Sequence, residues 1–215
     1  MVLTAIREAA ERFPGRVAVQ MKIGDAYRKI SYPELLVMIA SAARSLLEEG
    51  IGAGEKLVLL SENRPEWIIA YLATVSVGAV IVPLDAQLTE KEVALLTESS
   101  GATGIFVSAQ TRSKIPAAKP LLIISFDEGE GKSFSRMTSA HRDAGLPQPA
   151  PAQQLAALLY TSGTTGDPKG VMLSHGNLAS DCKSCIALDL VQPGDNMLCI
   201  LPYHHTYPAM ACMLL

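Results

Sequence analysis

The residues with the most chemical content are Tyr160-Thr-Ser-Gly-Thr-Thr-Gly-Asp-Pro-Lys-Gly170, where hydroxyl side chains and glycines gather around one lysine. Glycines let the backbone turn its N–H groups toward an anion at positive φ, Thr and Ser hydroxyls add donors, and Lys169 brings a full positive charge. A loop of this make-up suits a polyphosphate. It is not the P-loop of mononucleotide-binding NTPases, in which the second glycine is followed at once by Lys, then Ser or Thr, and a helix. Here Gly166 is followed by Asp167-Pro168-Lys169-Gly170, and Val171-Met172-Leu173 reads as a strand. The loop is expected to join two strands, 155–160 and 171–174. A polar surface hairpin without a ligand is the plainer alternative, because Ser/Thr/Gly-rich loops are common connections.

Beyond the loop come Leu173-Ser-His-Gly-Asn-Leu178 and, after a predicted helix, Leu201-Pro-Tyr-His-His-Thr206. Taken together these segments resemble the adenylate-forming superfamily: acyl-CoA synthetases, adenylation domains of peptide synthetases, and luciferases. Residues 159–175 are similar to the family signature throughout. The second block resembles the family's Pro-Leu-Phe-His segment, with His205 on the family's histidine and His204 on its variable neighbour. Pro208 stands where long-chain fatty-acyl synthetases often carry an acidic residue.

The resemblance implies an α/β fold, with mostly parallel sheets flanked by helices, forming part of the N-terminal domain of an adenylate-forming enzyme. It implies an AMP-forming acid–thiol ligase in which a carboxylate attacks the α-phosphorus of Mg-ATP, pyrophosphate leaves, and the acyl group passes to CoA. Thr161, Ser162, Gly163, Thr164, Thr165, Gly166 and Lys169 are then the phosphate-binding residues, and His205 orients the acyl carboxylate. Ser174, His175 and Asn177 are expected to start the next helix rather than touch substrate, since Ser is a natural N-cap. The co-substrates implied are ATP with Mg²⁺, CoA and a carboxylic acid, a fatty acid in the first instance. An amino or aryl acid, an acyl carrier protein as acceptor, or a non-catalytic nucleotide- or protein-binding module are the alternatives. The family's adenine-stacking segment, magnesium carboxylate, ribose aspartate and C-terminal catalytic lysine have no counterpart here. The chain is therefore expected to be an N-terminal part, inactive alone and self-associating through apolar surface.

Composition agrees with a soluble, cytoplasmic enzyme. The 215 residues are 49% hydrophobic and 18% charged, enough for a substantial core. Net charge is −3 with no basic run, so nothing asks for nucleic acid. Cys182 and Cys185 have metal-ligand spacing but no second pair to match, and no metal site is assigned. Met1 to Arg12 carries charges at helical spacing rather than a signal-peptide layout. The uncharged run from Trp67 to Leu84 has the length of a membrane span. Gly78 breaks it, and a buried helix followed by a buried strand is expected instead; peripheral membrane contact stays compatible.

Strand and helix signals alternate along the chain. Residues 17–21 and 27–30 read as a hairpin around Gly24-Asp25. Ser31-Tyr-Pro-Glu34 is a capping box for a helix ending at Gly50, and Thr89 with Glu92 forms a second. Strands are expected at 56–60, 79–82, 104–108, 121–124 and 196–201, with helices at 65–77 and 208–215. Uninterrupted apolar strands indicate a mostly parallel sheet covered on both faces. Three segments follow: a first α/β subdomain over 1–126, a mobile polar connector over 127–154 holding an unassigned His141, and the start of a second subdomain over 155–215.

Overall fold

The computed structural model describes residues 2–117, 120–129, 131–161, 169–188, 192, 194–205 and 209. After helix α1 (Val2–Arg12), strands β1 (Val17–Ile23) and β2 (Ala26–Ser31) form an antiparallel hairpin of their own. Gly24 makes its turn possible with φ of +58°. Ser31 then caps α2 (Tyr32–Glu48): its side chain accepts from the Glu34 N–H, and the Glu34 carboxylate answers on the Ser31 N–H at 2.8 Å.

The body of the chain is a seven-stranded sheet built from β3 (Lys56–Leu60), β4 (Val80–Leu84), β5 (Gly104–Val107), β6 (Leu122–Ser125), β7 (Lys132–Ser133), β8 (Leu155–Thr161) and β9 (Lys169–Ser174). Their order is β7-β6-β5-β3-β4-β8-β9. Every neighbouring pair is parallel except β8 with β9. Period-two alternation, with a core on each face, explains why the central strands β3, β4 and β5 are almost wholly apolar. Leu57, Leu59, Ile81 and Phe106 point into one core with α1, α2 and α3 (Pro65–Ser76), whereas Val58, Leu60, Val82 and Ile105 point into a second core with α4 (Glu90–Ser100).

Helix α3 is buried along its entire length, which accounts for the apolar run that begins at Trp67. Gly78, at φ +75°, turns that run into β4. Among the described residues no helix is long and apolar enough to cross a membrane. At the N-terminal end of α3, Glu66 receives Arg64 at 2.9 Å and also Arg28, while Arg64 reaches Asp127 at 3.0 Å. Burial alone would raise the Glu66 carboxyl, but these two arginines hold it below the usual carboxylate range.

Two expectations need correction. The stretch 127–154 is not simply a mobile connector, because it carries β7 and the short helix α5 (Phe134–Met137). Phe134 is 1% exposed and packs edge-on against Phe126 and Phe106, at 5.0 and 5.8 Å between ring centres. Two apolar residues three apart suffice to bury one face of such a helix, and the polar average of the stretch hides them. His141 is likewise anchored, with its Nε2 3.0 Å from Glu48 Oε2 and its N–H donating to Ser41 Oγ.

The second correction concerns residues 196–201, which form no strand. Leu198 and Ile200 are 85% and 78% exposed. A strand needs a ladder beside it, and among the described residues none lies there. The helix expected over 208–215 falls outside the described residues, except that Ala209 N–H donates to the His205 carbonyl at 3.2 Å.

Candidate active site

Sheet order places the site. The chain leaves β3 for its neighbour β4 by way of α3, on the first face, and then crosses to β5, on the other side of β3, by way of α4 on the second face. The loops after β3 and β4 therefore diverge to opposite faces and open a crevice at the C-terminal ends of these strands, where α/β sheets place ligands. The β3 loop supplies Asn63 and the end of β4 supplies Asp85.

Both residues hold the histidine segment. Asn63 Nδ2 donates to the Leu201 carbonyl at 2.8 Å, and Asn63 Oδ1 accepts from the Tyr203 N–H at 2.9 Å. One amide thus clamps the backbone on either side of Pro202. The buried Tyr203 ring lies 5.3 Å from that of Trp67, which in turn stacks on Tyr71 at 5.5 Å. His204 follows, with Nε2 3.6 Å from Asp85 Oδ2. Burial lowers the His204 imidazole below its ordinary value, with Asp85 opposing and His205 adding to the shift. His205 is exposed, and its ring centre is 4.1 Å from that of His204. The sequence reading singled out His205 but missed Asn63, Asp85 and Tyr203.

Because β8 runs parallel to β4, its C-terminal residue Thr161 lies at this same end of the sheet. Thr161, the last residue of β8, and Lys169, the first of β9, are antiparallel partners, and both are exposed. Ser162, Gly163, Thr164, Thr165 and Gly166 lie outside the described residues. The two flanking strands expected from sequence are present, and β9 takes in Lys169 and Gly170. Gly170 is constrained by packing, since a Cβ there would come within 2.9 Å of the Leu158 side chain.

Helix α6 (His175–Ala187) begins as expected, with Ser174 Oγ accepting from the Asn177 N–H at 3.1 Å and Asn177 Oδ1 accepting from the Ser174 N–H at 2.9 Å. His175 is half-buried and its imidazole is lowered chiefly by that burial. On the same helix, burial first and then Asp181 and Cys185 push the Cys182 thiol up to about 11, which keeps it protonated. Among the described residues no three His, Cys, Asp or Glu side chains gather closely enough to hold a metal ion.

The Thr161 and Lys169 ends of β8 and β9 and the histidine segment thus share one end of a mostly parallel sheet. Residues 6–215 match the model of the AMP-binding enzyme family. The chain belongs to the AMP-binding enzymes. Among relatives of this AMP-binding enzyme, a long-chain-fatty-acid–CoA ligase of Mycobacterium bovis is 31% identical over 89% of the chain and 34% of its own length. A 3-hydroxybenzoate–CoA ligase of an Aromatoleum strain is 27% identical over 84% of the chain and 36% of its own length. Apo MatB from Rhodopseudomonas palustris superposes with a TM-score of 0.85 at 27% identity, over 99% of the chain and 42% of MatB. The AMP-binding chain thus spans about a third of the length of these curated relatives.

The Asn63 clamp makes a testable claim. Asn63→Ala should cost about 1–2 kcal/mol, the worth of two hydrogen bonds to a partly exposed segment. It should also speed hydrogen exchange at the Tyr203 amide more than at amides of β3. Unchanged protection at Tyr203 would show that the segment is held by its aromatic contact alone.

Proposed function

We propose that this chain is the ATP-handling N-terminal part of a ligase that activates a carboxylic acid by adenylation and passes the acyl group to the thiol of CoA. The observation that carries the reading is the β8–β9 hairpin. It brings Thr161 and Lys169 together at the end of the sheet where Asn63 and Asp85 hold the segment from Leu201 to His204.

A carboxylate is a poor acylating agent because oxide is a poor leaving group, and joining it to AMP replaces oxide with a phosphate ester. Both reactants are anions, so the protein must supply positive charge and donors on the β- and γ-phosphates and hold the carboxylate in line with the α-phosphorus. In this reading Lys169 and the hydroxyls and amides of 161–166 neutralise and orient the triphosphate, and His205 orients the carboxylate oxygen that attacks. Magnesium accompanies ATP and neutralises phosphate charge, but the described residues provide no ligand set for it.

A fatty acid is the proposed substrate class, in keeping with the mycobacterial relative. An aryl acid is the second reading, favoured by the similar match to a hydroxybenzoate ligase. We assign residues 155–215 to the opening of the second half of the adenylating domain, and place the enzyme in the cytoplasm with peripheral membrane contact allowed. The assay is acyl-CoA and AMP formation by the full-length protein on a panel of fatty, aryl and amino acids. His205→Ala should raise the KM for the acid or lower the adenylation rate while leaving ATP affinity within about twofold; a variant altered only in thermal stability would make His205 structural.

The 215-residue chain alone is expected to release no pyrophosphate and to self-associate. Met172 on the edge strand β9 is 71% exposed, and the apolar Leu198 and Ile200 are exposed as well. Light scattering coupled to size exclusion should report a dimer or larger species. A strict monomer, or acid-dependent pyrophosphate release, would contradict this.

A further inference from the structure

Asp85 is the first residue beyond β4, and its carboxylate is fixed from behind: Oδ1 accepts from the Gln87 N–H at 2.8 Å. The other oxygen, Oδ2, faces His204 Nε2 at 3.6 Å, an electrostatic contact rather than a direct hydrogen bond. The His204 side chain is only 13% exposed, so burial on one side and a fixed carboxylate on the other leave its ring few rotamers. The next ring, His205, is exposed, and among the described residues its imidazole makes no hydrogen bond. Among the described residues its ring neighbour is His204, tilted by 45° at 4.1 Å. A free surface imidazole would lose side-chain entropy on meeting a carboxylate, whereas a ring already confined on one side loses less.

We propose that Asp85 and His204 are positioning residues that pre-set the orientation of the His205 imidazole for the acyl carboxylate. The proposal rests on the reading of His205 given above. Orientation passes from the β4 end to Asp85, from Asp85 to the buried ring, and from that ring to the exposed one. Neither Asp85 nor His204 touches the reacting atoms, so their loss acts on how well the acid is held rather than on how ATP is held.

The experiment compares acid KM and ATP KM in the full-length enzyme for His205→Ala, His204→Ala, His204→Phe and Asp85→Asn. His204→Ala should raise the acid KM about tenfold, since small misplacements of an orienting group are costly, with ATP KM within about twofold. His204→Phe should recover most of that loss because it restores a ring beside His205, and Asp85→Asn should fall between wild type and His204→Ala. Should His204→Ala fail to fold, Asp85→Asn decides, as Asp85 is 38% exposed and its replacement removes no packing. If His205→Ala raises the acid KM while His204→Ala and Asp85→Asn stay at the wild-type value, the positioning role is overturned and the reading of His205 stands. If His205→Ala itself leaves both the acid KM and the adenylation rate unchanged, that reading fails and the positioning role falls with it.

Discussion

Replacing Lys169 by alanine in the full-length enzyme should lower acid-dependent ATP–pyrophosphate exchange by about 100- to 1,000-fold, the loss seen when one preorganised charge-stabilising group is removed from an active site. Lys169 opens β9 as the partner of Thr161, and it is exposed. Its removal therefore leaves no cavity and no buried charge unpaired, and stability should change by no more than about 0.5 kcal/mol. In the proposed reading, what is lost is a full positive charge beside the triphosphate. A folded Lys169→Ala protein exchanging pyrophosphate at the wild-type rate would remove the loop from the chemistry.

The largest effect on stability is expected at Trp67. It is the chain's single tryptophan, which also makes its fluorescence a clean probe of unfolding. Its ring is 1% exposed and sits between Tyr71 and Tyr203. Truncation to alanine removes the transfer energy of a large side chain and leaves a cavity, together about 3–5 kcal/mol. For a chain of this size that corresponds to a fall in Tm of roughly 6–20 °C. Because the Tyr203 ring leans on Trp67, the substitution should also release the histidine segment. Hydrogen exchange at Tyr203 should rise even under conditions where the sheet stays folded. Since Trp67→Ala removes its own fluorescence, unfolding of the variant is followed by circular dichroism; a loss below 1 kcal/mol would mean that the α3 core repacks around the gap.

What could be read from sequence was local. Each capping box at Ser31, Thr89 and Ser174 is a contact between residues three apart, so its chemistry is written in adjacent positions, and all three form. The apolar strands and the Gly78 break were legible for the same reason: a strand buried on both faces, or a chain reversal at positive φ, leaves a mark within a few residues. The two strands that flank residues 162–168 were legible from their own apolar runs. The contacts that build the site around His205 were not, because they join residues far apart. Asn63 reaches Leu201 and Tyr203 across 138 and 140 positions, and in sequence it reads only as a polar residue before a helix.

Two misreadings share one cause. The apolar segment 196–201 has the composition of a strand but finds no ladder among the described residues, and strand propensity alone does not make a strand. The stretch 127–154 has the composition of a linker, yet Phe134 and Met137 bury its short helix against Phe106 and Phe126. In both places tertiary partners decided the outcome, and window composition carries no information about partners. His141 follows from the second case, since α5 and its following turn bring it to Ser41 and Glu48 on α2.

The most direct test of the adenylation reading is carboxylate-dependent exchange of labelled pyrophosphate into ATP by the full-length protein, with magnesium and in the absence of CoA. Exchange that requires a carboxylic acid, with AMP appearing only once a thiol is added, is the result expected of an acyl-adenylate held at this site. ATP turnover to ADP and phosphate, or no exchange with any fatty, aryl or amino acid, would contradict it.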